Sequence, residues 1–287
     1  MNRRSPWSAD DVAVAAQLAC VMEVSAEKPG NITPSHAFGD TSFEDMLRSA
    51  IAVGPELARA EGRGVGETVL AVVQASCRVA GANTNLGIAL LLAPLARAAL
   101  DPALAGMPLR ARVAAVLRAL TLDDARAAYA TIRLAQPGGL DAPVDHDVRE
   151  EPAITLREAM ARAAGRDRVA AEYATDFAVT FTVGVPALSA ARAQGPGERD
   201  AIVELHLRLL AAVPDTLIAR KRGPQVAQEV SARAAEVLAA GGVRTAPGRR
   251  ALAAFDASLR DRRNALNPGT TADLVAATLF VTLLGGV

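Results

Sequence analysis

Hydrophobic positions along the chain recur mostly at helical spacing. The first clear segment carries apolar residues at intervals of three or four, at Val12, Ala15 and Ala19. Ser8, with Asp11 three residues later, predicts a capping box that starts this helix. The pattern ends near Ala26, so the first expected helix is about five turns long.

The same spacing predicts helices along the rest of the chain, each bounded by a cap or by a glycine or proline turn. The expected bounds are 42–62, 64–80, 86–100, 110–119, 123–135, a restart at 155, 167–193 with a kink at Gly184–Pro186, 198–213, 215–221, 225–240, 247–263 and 271–284. A short strand over 179–186 is the weaker alternative, because that stretch is rich in β-branched residues. The prediction is an all-α protein, one compact domain over residues 1–287 with roughly a dozen helices.

The composition supports a helical fold and limits the classes of binding partner that we expect. Hydrophobic residues make up 51% of the chain and aromatics only 3%, so the core is built from small aliphatic side chains that suit closely packed helices. Lys plus Arg equals Asp plus Glu, 31 against 31. A balanced charge gives no argument for nucleic acid or an anionic membrane, so neither is expected as a partner.

Two strongly apolar segments, 86–100 and 274–287, raise the question of membrane insertion. Both are shorter than the roughly 20 residues that a span needs, and no apolar run follows the basic N-terminus. Cys20 and Cys77 lack any metal-binding or redox spacing and are expected to be reduced core residues. We therefore expect a cytoplasmic protein.

Five polar segments interrupt the helices, and each combines Gly or Pro with Asn, Thr, Asp, Lys or Arg. They are EVSAEKPGNITP (23–34), GANTNLG (81–87), RLAQPGGL (133–140), PDTLIARKRG (214–223) and NPGTTADL (267–274). Because an all-helical protein brings helix ends together, these segments are the candidates for a shared site.

The last polar segment illustrates the two interpretations that apply to all of them. Thr270 or Thr271 is expected to cap the following helix, and Asp273 in its first turn complements the helix dipole. The free amides of a helix start also bind phosphate. Since Asp273 would repel a bare phosphate, the functional interpretation requires a metal-bridged phosphate there.

The other segments allow similar alternatives. Arg220, Lys221 and Arg222 form either a solvated run or a phosphate clamp, and Asn83–Asn85 form either a turn or contacts to a sugar or base. Glu23 could pair with Lys28, or face a substrate hydroxyl or a metal. The three histidines, His36, His146 and His206, lack metal spacing, and no nucleophile-elbow, P-loop or dinucleotide motif is present.

Four motifs in this order, KPGN, NTNLG, PDTLIARKRG and NPGTTADL, resemble those of the triphosphoribosyl-dephospho-CoA synthase family over about residues 10–284. That family is all-α. Its best known members join the 2′-hydroxyl of dephospho-CoA to C1′ of the ATP ribose and release adenine, making a prosthetic-group precursor for the acyl carriers of citrate lyase and malonate decarboxylase.

The chain departs from those members at two motifs. They tend to have Asn-Thr-His-Lys-Gly where this chain has residues 83–87, and Ser-Pro-Gly-Gly-Ser-Ala-Asp where it has residues 267–273. In this respect it is more similar to a divergent branch from methanogens and some one-carbon-metabolising bacteria. The resemblance therefore leaves open a methanopterin- or methanofuran-type acceptor.

The implied reaction passes through an oxocarbenium-like state, as in glycoside chemistry, and needs a carboxylate to accept a hydroxyl proton. Asp215 is the first candidate for this base and Glu23 the second. The triphosphate of the substrate ATP is expected to be held by Lys28, Arg220, Lys221 and Arg222, and Mg²⁺ by Asp273 with Asp40 or Asp45. Further candidate ligand-binding residues are Asn31, Asn83, Thr84, Asn85, Thr216, Asn267, Gly269, Thr270 and Thr271.

The expected partners are small nucleotide substrates, and a homodimer is compatible with the sequence. Two alternatives stay open: a related nucleotide-dependent transferase with another acceptor, and a non-catalytic helical binding protein in which the polar segments are only caps.

Overall fold

Fourteen α-helices make up most of the part of the chain that is described by a computed structural model, namely residues 5–80, 85–135, 148–195, 197–261 and 263–285. They are α1 Ala9–Ser25, α2 Phe43–Leu57, α3 Val65–Ala80, α4 Leu86–Leu100, α5 Leu109–Arg118, α6 Leu122–Ala135, α7 Leu156–Ala163, α8 Arg168–Ala174, α9 Val185–Ala193, α10 Glu198–Ala212, α11 Thr216–Arg222, α12 Pro224–Ala239, α13 Ala246–Leu259 and α14 Gly269–Leu283. Short 3₁₀ turns occupy Ala60–Gly62, Pro102–Leu104 and Gly242–Arg244, and a π-helical turn occupies Thr180–Gly184. Within these residues there is no β-strand, so the all-α prediction is confirmed.

Reciprocal capping boxes start several helices where the sequence predicts them. The side chains of Ser8, Ser42 and Thr155 each accept a hydrogen bond from the third helical amide, and the acid at that position accepts one in return. Thr121 and Asp124 make the same exchange before α6. Each box satisfies amides that the helix itself cannot, which explains why these boundaries are predictable from local sequence.

The centre of the fold is built around α4 and α14, whose side chains are buried nearly all round. α14 packs against α1, α4 and α10, and α4 also contacts α3 and α5. A helix that is apolar on every face is stable only when other helices surround it. Within the described residues, no helix combines the length and apolar character needed to cross a bilayer.

The predicted single helix over 167–193 is wrong, because the chain breaks after Ala174. Asp176 and Phe177 adopt positive φ angles of 52° and 57°, and helical structure resumes only beyond them. The buried carboxylate of Glu172 accepts hydrogen bonds from the amides of Val179 and Thr180, both at 2.9 Å. Glu172 therefore caps a new helix start, and no strand forms at 179–186.

Two other helices end earlier than predicted. α2 stops at Leu57, two residues after Pro55, and gives way to the 3₁₀ turn. α13 stops at Leu259, because the next residue, Arg260, adopts an extended backbone and donates to the carbonyl oxygen of Asn31 at 2.6 Å. That contact spans most of the chain, so local pattern could not reveal it.

Candidate active site

The starts of α11 and α14 share one buried carboxylate, Asp215. Its Oδ1 accepts hydrogen bonds from the amides of Leu217 and Ile218 at 2.8 and 3.1 Å, which makes it the N-cap of α11. Its Oδ2 accepts from the amide and the hydroxyl of Thr271 at 2.7 and 2.8 Å. Asp215 therefore ties together two helix starts that lie more than fifty residues apart.

The prediction that Thr270 or Thr271 caps α14 is wrong. α14 begins at Gly269, and Pro268 stands at the cap position without a side-chain cap bond. Thr271 lies in the first turn and donates to Asp215, while Thr270 lies 3.2 Å from the hydroxyl of Thr216. The cap of this helix comes from a distant segment because the two helix starts pack directly together.

Burial raises the pKa of Asp215, and the hydrogen bonds from Thr271, Ile218 and Leu217 act in the opposite direction. Only 2% of Asp215 is exposed, and both of its oxygens accept two hydrogen bonds. A carboxylate with all these acceptor positions engaged is well suited to fix helices in place.

The loop after α1 is held against the start of α14. Gly30 has a φ of +77°, and a Cβ there would lie 2.8 Å from Cδ of Pro268, so glycine suits both the backbone and the close approach. The side-chain amide of Asn31 donates to Oδ1 of Asn267 at 2.7 Å. On its other side, the amide of Gly30 donates to Asp256 at 2.8 Å.

A buried ion pair lies at the end of α1. Nζ of Lys28 is 2.9 Å from Oε1 of Glu23 and also donates to the backbone oxygen of Glu23. The exposed fractions of the two side chains are 0% and 4%. The charge of Lys28 is thus directed into the protein interior.

Asp273 of α14 adds a third carboxylate to Glu23 and Asp215 and lies against α4. Gly87 lies in the first turn of α4, and a Cβ there would overlap the carboxylate of Asp273. Burial raises the pKa of Asp273 well above its usual value, and the negative charges of Glu23, Asp215 and Asp167 add to that rise. Residues from α1, α4, α11 and α14 thus meet at one place.

Cations approach this acidic group from α11. Arg220 forms an ion pair with Asp167 at 2.8 Å, and it is the positive charge that partly offsets the rise in the pKa of Asp273. Nζ of Lys221 donates to the backbone oxygen of Asn264 at 3.2 Å, and Arg222 is exposed. Lys221 and Arg222 thus face solvent, whereas Arg220 is partly buried.

His206 on α10 belongs to the same region, although no sequence motif singles it out. It is fully buried, and both ring nitrogens lack a hydrogen-bond partner within the described structure. Burial and the neighbouring charge of Lys28 lower its pKa well below the usual value. Asp167 and Asp256 were also missed, because each has one contact with a distant segment, Arg220 and Gly30 respectively, that local pattern does not show.

The structure brings together most of the predicted site residues that it describes, with Asp45 as an exception. Asn83 and Thr84 lie outside the described residues, whereas Asn85 is buried and donates to the hydroxyl of Ser76 at 3.3 Å. Asp40 is exposed and accepts from Thr41, and it lies close enough to α11 for its charge to act on Lys221, whereas Asp45 belongs to the capping box of α2.

No group of three or more His, Cys, Asp or Glu side chains in the described ranges is arranged to hold a metal ion. The assignment of Asp40, Asp45 and Asp273 to a metal stays a prediction. Asp273 alone combines partial exposure with a location among other acids, which is the setting that a divalent cation would neutralise.

Two cavities of the described structure lie outside this cluster. A cleft of about 220 Å³ is lined by Glu27, Arg249, Asp256 and Arg260, next to the loop that carries Lys28. A larger cavity of about 580 Å³ lies at the other end of α4, near Arg97 and Asp101, and none of the candidate residues lines it.

Fold and cluster together define an all-helical protein in which carboxylates and cations from several helix ends meet. The sequence matches the CitG family model, described as ATP:dephospho-CoA triphosphoribosyl transferase, over residues 9–287. The chain belongs to this family.

Individual relatives agree with that assignment. The chain is 38% identical over 106 residues to the 2-(5″-triphosphoribosyl)-3′-dephosphocoenzyme-A synthase of Klebsiella pneumoniae, a match covering 36% of each chain. It is 35% identical over 105 residues to a protein assigned the same name in Stutzerimonas stutzeri strain A1501, covering 37% of this chain and 36% of that one. The matches thus span about a third of the length of these relatives.

A solved structure is similar over a longer range. It is a crystal structure from Archaeoglobus fulgidus, assigned as a triphosphoribosyl-dephospho-CoA synthase, with a TM-score of 0.63 and 28% sequence identity. The similarity covers 83% of this chain and 97% of the other.

Proposed function

We propose that this protein transfers the triphosphoribosyl group of ATP to the 2′-hydroxyl of dephospho-CoA and releases adenine. The observation that carries the proposal is the convergence of Glu23, Asp215 and Asp273 from three distant segments, together with membership of the family. In this reaction the acceptor oxygen bonds to C1′ of ribose, the C1′–N9 bond breaks, and its electron pair leaves with adenine.

Glu23 is the better supported of the two candidate bases. Each oxygen of Asp215 already accepts two hydrogen bonds from helix starts, whereas only Oε1 of Glu23 pairs with Lys28. Carboxylates near C1′ also stabilise positive charge on the sugar. We therefore assign proton acceptance to Glu23, and to Asp215 the task of holding α11 and α14 in register.

The triphosphate would be held by Arg220, Lys221 and Arg222, whose side chains suit phosphate oxygens. Asn31, Asn85, Thr216, Asn267 and Thr270 are the polar side chains around it. Mg²⁺ prefers phosphate and carboxylate oxygens, and Asp273 is the protein carboxylate that fits it.

Both substrates are small cytoplasmic nucleotides, so we place the protein in the cytoplasm. A homodimer is also proposed, because Val14 and Leu18 of α1 and Ile51 of α2 expose apolar surface on neighbouring helices. Light scattering on the purified chain measures its mass in solution.

Incubation with Mg-ATP and dephospho-CoA tests the function directly. We expect free adenine by chromatography, and a product whose mass equals dephospho-CoA plus the triphosphoribosyl group. Omitting dephospho-CoA is the control and should abolish adenine release. Absence of adenine with dephospho-CoA, combined with release when another hydroxyl-bearing cofactor is supplied, would assign a different acceptor. Absence of any stabilisation by Mg-ATP in a thermal shift assay would contradict nucleotide binding itself.

A further inference from the structure

Lys28 does not occupy the position of a phosphate ligand. Its side chain has no exposed surface, and both contacts of Nζ are with Glu23. A lysine binds phosphate as a mobile point charge and must therefore present Nζ to the ligand. On α11, Lys221 and Arg222 are exposed and can do so.

The two contacts of Lys28 hold both the carboxylate and the backbone oxygen of Glu23. Glu23 lies in the last turn of α1, and its backbone oxygen also accepts a long hydrogen bond from the amide of Ala26, at 3.5 Å. The chain reverses beyond α1, since the amide of Lys28 donates to Ala26 at 2.7 Å. Nζ then returns to cap that end of the helix and to hold the carboxylate at 2.9 Å.

Acidic and neutral groups lie near this pair. Besides burial, the negative charge of Glu23 raises the pKa of both Asp273 and Cys20. Burial and the charge of Lys28 lower the pKa of His206, which has no exposed surface and no hydrogen-bond partner at either ring nitrogen within the described structure. A neutral imidazole cannot replace Lys28 as the counter-charge, so the orientation of Glu23 depends on Lys28.

We propose that Lys28 is a positioning residue, which clamps the Glu23 carboxylate in one orientation beside Asp273 for proton transfer. The inference rests on the proposed function. As the acceptor oxygen bonds to C1′ and the electron pair of C1′–N9 leaves with adenine, the hydroxyl proton moves to Glu23, which returns it to solvent. Adenine takes its own proton from solvent.

The substitution Lys28→Met separates positioning from phosphate binding. We expect kcat to fall at least ~10²-fold, the scale of a lost general base. The KM for ATP and its Kd by calorimetry should stay within about threefold of the wild-type values, because Lys28 does not contact the phosphates of ATP in this proposal. Arg222→Met, the matched loss of one cation from the phosphate set, should instead raise the KM for ATP. A raised KM with unchanged kcat in Lys28→Met would overturn the proposal.

Lys28→Met leaves a buried carboxylate without its partner and can fail to fold, so a double variant is needed. Glu23→Gln with Lys28→Met removes both charges together and should retain the helical circular dichroism and ATP affinity of the wild type. Its kcat should equal that of Glu23→Gln alone, because the two residues act as a unit.

Three outcomes are decisive. If kcat of the double variant falls by the product of the two factors measured in the single variants, Lys28 acts independently of Glu23 and the proposal fails. If the wild type is active but Glu23→Gln has normal kcat, the positioning role fails while the proposed function stands. If the wild type releases no adenine from ATP and dephospho-CoA, both fall.

Discussion

At the scale of single residues, His206 shows how an uncompensated buried group affects stability. Its imidazole lies next to Lys28 with neither nitrogen hydrogen-bonded within the described structure. Burial and the neighbouring positive charge keep it neutral in the native state. Its ordinary pKa of about 6.5 applies to the unfolded chain.

We predict that His206→Leu is more stable than the wild type in acid. Below pH ~6.5 the unfolded wild type binds a proton that the native state does not, so its free energy of unfolding decreases as the pH is lowered. The variant has no group to bind a proton at this position. Its free energy of unfolding should therefore exceed that of the wild type by an amount that grows by up to about 1.4 kcal/mol for each pH unit below ~6.5. Urea unfolding at several pH values between 5 and 7.5 measures it.

The matched control is His36→Leu, since His36 is exposed and makes only backbone hydrogen bonds with Thr33. An equal pH dependence in both variants would show that His206 is not the group responsible.

At the scale of secondary-structure elements, helix starts in this protein are capped in two ways. Ser8, Ser42 and Thr155 cap their own helices and were predicted from the sequence. Asp215 and Glu172 cap helices through contacts that the local pattern does not show. The second kind fixes the relative positions of elements as well as their ends.

The substitution Asp215→Asn tests this role against that of a catalytic base. An amide can replace only part of the four hydrogen bonds that the carboxylate accepts, so we expect destabilisation by about 2–4 kcal/mol. Thr271→Val removes one of the four and should cost about 1 kcal/mol. Chemical unfolding provides both values.

Turnover measurements complete that test. Normal stability of Asp215→Asn, together with a loss of turnover of at least ~10²-fold, would make Asp215 the base and remove Glu23 from that role. If Asp215→Asn and Thr271→Val both lose stability, and Asp215→Asn loses more because more hydrogen bonds are affected, the capping role is supported.

At the scale of the whole molecule, Arg112 on α5 joins the N-terminal segment to the central helices. It is fully buried and donates to the backbone oxygens of Ala98 and Ala99, at 3.2 and 2.9 Å, and to that of Leu104 at 2.9 Å. Its guanidinium also lies 5.1 Å from the ring centroid of Trp7. Trp7 in turn donates to the backbone oxygen of Leu284 at 2.6 Å, at the end of α14.

We predict that Arg112→Met destabilises the protein by about 2–4 kcal/mol, because several carbonyl oxygens at the C-terminal end of α4 lose their donor. Trp7 is the only tryptophan of the chain, so its fluorescence reports on this contact. The emission should shift to longer wavelength in the variant. Arg126→Met, which breaks an exposed pair with Asp123, is the control and should change stability by no more than ~0.5 kcal/mol. Unchanged stability and emission in Arg112→Met would contradict the prediction.

The sequence by itself determined the helical class, most helix bounds, and several of the polar segments that meet in the described structure. Helical periodicity, capping boxes and the burial of apolar segments such as 86–100 act over a few residues, so they can be recognised without coordinates. The ordered motifs added the family resemblance, which the match over residues 9–287 bears out.

Only the tertiary structure decided what individual side chains do. Lys28 faces Glu23 rather than solvent, Asp215 caps two helices, and Glu172 starts a new helix inside a segment that the pattern makes continuous. Each of these depends on contacts or burial that arise when the chain packs. Charge and hydrogen-bonding capacity are properties of the residue, but the direction in which they act is set by the neighbours that folding supplies.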